Sequence, residues 1–242
     1  MESIKDKIKI VQSKIDASKI DKNVKLVAVS KKKSWQDILE AYENGISDFG
    51  ENYLQESLEK ISKLKDLKIS WHFIGNIQSN KCEEIAKNFD WVHTIDRLKV
   101  ARLIDKYCPE DKSIKCLIQI NIDDEESKSG IRVEEVEIFL KELSSLKKIK
   151  ICGLMIIPNP NVELSDLRQT FKNIKMLADR LIENYENLTE ISMGMSRDFE
   201  LAIKEGSTIV RLGETIFWGK KLNENRCYWC RESWRKSSYK AF

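Results

Sequence analysis

In "KLVAVSKKKSW", Lys25 to Trp35, an apolar, β-branched run ends in three successive lysines. Lys31 is the first of them. A lysine placed where a buried strand emerges is partly desolvated, and neighbouring ammonium groups also disfavour its charged form. Its free amine is then available to condense with an aldehyde or ketone as a Schiff base. The same lysines also read as a solvated turn, the commoner use of lysine in loops. A second candidate lies in "SMGMSRDFELAIKEG", where Gly194 and Ser196 fall between a strand and a helix starting near Asp198. Free backbone N–H groups and the helix dipole favour a phosphate there. In "VRLGETI", Gly213 follows the last strand and permits close backbone approach, although glycine after a strand commonly serves a turn alone. Arg211 has the apolar neighbours Ile209, Val210 and Leu212. An always-charged guanidinium in that setting needs an acceptor, either a ligand's phosphate, carboxylate or ring nitrogen, or a structural ion-pair partner.

The elements that would position these groups repeat. "LVAVS" reads as a strand buried on both faces, and a helix follows, with Ser34 capping it, Asp37 three residues on, and Ile38, Leu39 and Tyr42 as its buried stripe. The alternation recurs at "DFGENY" with a helix through Leu54, Leu58 and Ile61, and at "WHFIG", "WVHTID", "CLIQINI", "ICGLMII", "ISMGM" and "TIVRLG". About eight strand-then-helix units in 242 residues predict a single (β/α)8 barrel, preferred over an open doubly wound sheet. Ile4, Ile8, Val11 and Ile15 add an amphipathic N-terminal helix. The expected domain is 1–219, followed by a polar and aromatic tail, 220–242. In a barrel of this kind the chemistry comes from the C-terminal ends of the strands, which selects Lys31, Asn52, Ser196, Arg211, Gly213 and Thr215 among others.

Composition narrows the partners. With 42 Lys plus Arg against 39 Asp plus Glu, the net charge is +3, a mixed surface that argues against nucleic acid. The sequence has neither an apolar signal region nor a bilayer-length apolar run, so a cytoplasmic protein with reduced thiols is expected. His72 and His93 lie inside predicted strands and are expected to satisfy core hydrogen bonds, and no metal pattern includes them. Cys227 and Cys230 form a lone CxxC without further ligands.

Taken in order, "LVAVSK", "DFGENYLQE", "WHFIGNIQSNK", "HTIDRLKVARL", "IQINIDDEESKSGI", "GLMIIP" and "SMGMSRDFELAIKEGSTIVRLG" resemble the pyridoxal phosphate (PLP) homeostasis proteins, the YggS/PROSC family, themselves similar to the N-terminal barrel of alanine racemase. The resemblance covers about residues 24 to 217. It implies PLP held as an internal aldimine on Lys31, with Arg211 at the pyridine nitrogen, Ser196 and Gly213 at the phosphate and Asn52 beside the cofactor. Lys33 and Lys128 match further basic positions. It also implies a monomeric carrier and regulator of PLP supply, serving PLP-dependent apo-enzymes, with no established turnover. Arginine does not readily protonate the ring nitrogen, so carbanion chemistry is restrained. A racemase would also need an acid or base on each face of its substrate.

The sequence departs from the family pattern at "GETIFWG", where Glu214 replaces a phosphate-facing threonine and Trp218 looks inserted. An anion beside a phosphate weakens binding unless it points away, which leaves Thr215 or backbone N–H groups to hold the phosphate. Two other readings follow: a low-activity PLP-dependent amino-acid racemase, and an interaction protein whose barrel has lost its cofactor through Glu214.

Overall fold

The computed structural model describes residues 2–19, 23–122, 129–159 and 161–218. Its strands are β1 (Lys25–Val29), β2 (Asp48–Glu51), β3 (Ser70–Phe73), β4 (Trp91–Ile95), β5 (Ile114–Ile120), β6 (Ile149–Ile156), β7 (Glu190–Ser192) and β8 (Ile209–Leu212). They pair in parallel in sequence order, and β8 closes on β1 with Val27 opposite Arg211 and Ala28 opposite Leu212. The helices are α1 (Ile4–Ser18), α2 (Trp35–Glu43), α3 (Leu54–Lys63), α4 (Cys82–Asn88), α5 (Leu98–Tyr107), α6 (Val136–Leu143), α7 (Leu164–Ile182), α8 (Phe199–Lys204) and α9 (Glu214–Phe217). This is the (β/α)8 barrel expected from the repeating pattern. The tail 220–242, with its CxxC, and Lys128 lie outside the described residues.

Closure makes every strand two-sided. Successive side chains alternate between the helical shell and the lumen. Ala28, Phe49, Trp71, Val92, Ile118, Leu154 and Val210 face the shell and belong to one large buried cluster with the helices. Val27, Trp91, Leu117, Met155 and Ile209 form a second, smaller cluster that fills the lumen. The helix following β8 is only four residues long, and α1 packs against α2, α8 and α9, filling the ring where a longer helix would otherwise lie. Its buried stripe is Ile8, Val11 and Ile15.

One detail differs from the sequence reading. The buried stripe of α3 is Leu54, Ser57 and Lys60, with Leu58 and Ile61 half-buried, because the helix turns a polar edge toward the end of β2. A 3-10 turn, Val133–Glu135, precedes α6.

The lysine turn is fixed at its far end by the cap of α2. Ser34 Oγ accepts the Asp37 N–H at 3.1 Å while the Asp37 carboxylate accepts the Ser34 N–H at 3.0 Å. Ser34→Ala removes the first of these, and a stability loss of about 1 kcal/mol is expected. It should be read as a lower urea midpoint with unchanged slope.

Candidate functional site

The C-terminal ends of β1, β2, β7 and β8 meet at one side of the barrel mouth. Ser30 continues β1 by donating its N–H to Gly50 O at 3.0 Å, and the half-buried Lys31 follows. Lys32 takes a left-handed conformation, φ 60°, which a side chain makes costly. Its N–H donates to the Glu56 carboxylate at 2.5 Å, which holds the turn. Beneath it, Lys60 is 5% exposed and donates to Glu51 Oε1 and Ser30 O, both at 2.8 Å, and to Glu56 Oε1 at 2.5 Å. Ser30 Oγ donates to the same Glu51 oxygen at 2.6 Å. Burial pushes the Glu51 carboxyl up against the pull of the Lys60 ammonium. The turn that presents Lys31 is therefore clamped from the shell side by a buried ion pair.

Asn52, next along the chain, is half-buried, and its buried Oδ1 accepts no hydrogen bond among the described residues. Gly75 explains how Asn52 is seated: a Cβ there would lie 2.2 Å from the Asn52 carbonyl oxygen. On the opposite side, Ser196 Oγ accepts the Thr215 N–H at 3.4 Å, which stitches the loop after β7 to the start of α9. Gly213 has little room for a side chain, since a Cβ would lie 3.1 Å from Val29 O and 3.2 Å from the Trp218 ring.

Trp218 and Lys33 explain one another. The Lys33 ammonium lies 4.2 Å from the Trp218 ring centroid and donates to Phe217 O at 3.2 Å. Burial pulls its pKa down. Lys33 thus anchors the end of α9.

Arg211 projects into the lumen and is 4% exposed. Its Nη1 donates to Ser192 O at 2.8 Å and Ser192 Oγ at 2.6 Å, and Nη2 donates to Ile156 O at 2.9 Å. Burial pulls its pKa down to about 10, against the pull of Asp198, so the guanidinium stays charged at neutral pH. The acceptors demanded by the sequence are thus partly internal, and they are carbonyl and hydroxyl oxygens rather than an ion-pair partner.

Below Arg211 both histidines are fully buried and bonded to the core, as the sequence suggested. His93 Nδ1 lies 3.1 Å from Ser192 Oγ, His93 Nε2 lies 2.8 Å from His72 Nδ1, and His72 Nε2 lies 3.0 Å from Asp48 Oδ1. Burial lowers the pKa of both rings. Burial alone would raise the Asp48 carboxyl, but hydrogen bonds from His72 and Ser47 and the Lys25 ammonium outweigh it and hold it at about 2.

The sequence reading placed Lys31, Asn52, Ser196, Arg211, Gly213 and Thr215 at strand ends, and the barrel brings all six to this mouth. It missed Lys60, Ser192 and Asp48. Asp48 and His72 were nonetheless marked by polar side chains at lumen-facing positions of short apolar strands.

The family model of the alanine racemase N-terminal domain matches residues 1–221. Curated relatives include the pyridoxal phosphate homeostasis protein of Haemophilus influenzae, 39% identical over 93% of this chain and 99% of its own. That of Escherichia coli K12 is 40% identical over 91% of this chain and 95% of its own. The chain belongs to the pyridoxal phosphate homeostasis protein family. Among solved structures, PipY of Synechococcus elongatus with PLP bound superposes with a TM-score of 0.80 at 32% identity, covering 89% of this chain and all of that one. An alanine racemase of Clostridium difficile shares the fold, with a TM-score of 0.71 at 15% identity over 92% of this chain and 59% of its own.

Two stability outcomes follow. Lys60→Met strands the Glu51 carboxylate and is expected to cost about 3–5 kcal/mol, with Glu51→Gln added to it recovering part of the loss. Both are measured by urea unfolding. The second concerns acid. His72 and His93 have folded pKa values below their ordinary 6.5, so their stabilising contribution is complete above that pH and is lost as pH falls. Asp48, at about 2 against an ordinary 3.8, adds a further loss between those values. Unfolding free energy should decline below about pH 6.5 in two stages, and Asp48→Asn should flatten the lower one.

Proposed function

We propose that this protein binds pyridoxal 5′-phosphate as an internal aldimine on Lys31 and serves in PLP homeostasis, as a monomeric carrier that supplies PLP-dependent apo-enzymes in the cytoplasm. The observation that carries this reading is that Lys31, Arg211 and Asn52, whose buried Oδ1 accepts no hydrogen bond among the described residues, stand at the C-terminal ends of β1, β8 and β2, neighbours in the barrel. The donor set fits the cofactor. Lys31 supplies an amine that condenses with the aldehyde carbon, with loss of water. Asn52 Oδ1 offers an acceptor for an N–H or O–H beside that bond. Ser196, Gly213 and Thr215 frame a phosphate pocket in which hydroxyl and backbone N–H groups are the donors.

Thr215 is tied to Ser196 through its backbone N–H, a link that needs no hydroxyl from position 214 to join the two loops. Bound PLP is an electron sink, and Arg211 limits how strong a one. A guanidinium that stays charged donates a hydrogen bond to the ring nitrogen without surrendering a proton, so the ring remains neutral and stabilises a carbanion poorly. This favours carriage over catalysis. The rival reading, a low-activity amino-acid racemase, rests on the shared barrel and lysine.

Borohydride reduction of the PLP-loaded protein, followed by peptide mass spectrometry, tests the site. A pyridoxyl adduct on the Lys31 peptide, lost in Lys31→Ala, is expected. An adduct spread over Lys32 and Lys33, or none, overturns it. The loaded protein should leave L-alanine unracemised, and formation of D-alanine that depends on Lys31 would establish the racemase instead.

A further inference from the structure

The barrel lumen holds one continuous file of polar side chains: Arg211 Nη1 to Ser192 Oγ at 2.6 Å, Ser192 Oγ to His93 Nδ1 at 3.1 Å, His93 Nε2 to His72 Nδ1 at 2.8 Å, and His72 Nε2 to Asp48 Oδ1 at 3.0 Å. Its members come from β8, β7, β4, β3 and β2. They run from the mouth to the opposite end of the barrel, where Asp48 lies in a depression also lined by Lys25, Ser47, Glu190 and Thr208. At that end the Asp48 carboxylate also accepts from Lys25 Nζ at 3.2 Å and Ser47 Oγ at 2.8 Å.

The chemistry of the two ends fixes every proton between them. An ionised carboxylate only accepts, so His72 carries its proton on Nε2. The Nδ1 of that neutral ring must then accept, so His93 also carries its proton on Nε2. His93 Nδ1 is left as an acceptor for the Ser192 hydroxyl, whose oxygen accepts in turn from Arg211, which only donates. All four bonds point the same way, from the cation to the anion. Reversing one of them would set two donors or two acceptors face to face in a buried lumen.

We propose that Ser192, His93, His72 and Asp48 are positioning residues that form a one-way hydrogen-bonded chain, aiming the Arg211 guanidinium at the cofactor's ring nitrogen and coupling that nitrogen to a carboxylate at the far end of the barrel. The upper end of this chain rests on the proposed PLP site; its direction does not. With Nη1 and Nη2 held by Ser192 and Ile156 O, the guanidinium plane is set before any ligand arrives. A change in how strongly the ring nitrogen draws on Arg211 polarises each bond below it.

The test uses the two histidines as reporters, since the sequence contains 2 of them. Ring 15N–1H correlation spectra of the cofactor-free protein at neutral pH should show both imidazoles neutral and protonated on Nε2. Adding PLP should shift the His93 ring resonances. A PLP analogue with C–H in place of the ring nitrogen should still attach to Lys31 but lose most of that shift. Ser192→Ala should form the Lys31 adduct, leave the His93 ring unresponsive to PLP and bind PLP about tenfold more weakly, as loss of a hydrogen bond to a charged group implies, with Ser192→Thr restoring the response. A ring protonated on Nδ1, an imidazolium, or equal His93 shifts with PLP and the analogue would overturn the chain. Absence of any adduct on Lys31 would overturn the site and the chain's upper end together, leaving the tautomers to decide its direction alone.

Discussion

A cation in the middle of a barrel is the constraint around which this structure is arranged. The Arg211 guanidinium is buried where water cannot solvate it, and it is stabilised by oxygens from β6 and β7, Ile156 O and both oxygens of Ser192. Those oxygens are in range because the sheet closes. In an open sheet β8 would have an edge, and the lumen that collects acceptors from neighbouring strands would not exist. Closure thus fixes the direction in which the remaining guanidinium surface can act.

The turn that carries Lys31 is braced from the helical shell. Lys60 donates to Ser30 O and to the Glu51 carboxylate, which also accepts from the Ser30 hydroxyl, and Glu56 accepts the Lys32 N–H. The Arg211 guanidinium is thus fixed through its own head group, whereas the backbone on either side of Lys31 is fixed through contacts of its neighbours.

Much of this could be read from the residues. Eight apolar runs separated by helical periods specify a closed parallel barrel, and a strand-end lysine and a strand-borne arginine stand out in that pattern. The motif order carried the family. The buried partners were harder. Lys60 sits on a helix among other charged residues, where lysine ordinarily marks solvent, and its burial depends on the end of a strand nine residues earlier in the chain. Whether His72 meets His93 depends on strand stagger, which alternation alone does not set. The pairing of Lys33 with Trp218 spans almost the whole chain, and no local spacing announces it. The aromatic that looked like an insertion is a lid on a lysine.

The way α1 fills the ring beside α8 also ties distant parts of the chain together. Lys14 on α1 pairs with Glu200 on α8, 186 positions further along. Of the helices that α1 packs against, α2 is its neighbour in sequence, while α8 and α9 follow the last two strands. The cover over Ile8, Val11 and Ile15 is therefore complete only when the barrel has closed. Such long-range contacts raise the contact order of the chain, and folds rich in them fold slowly.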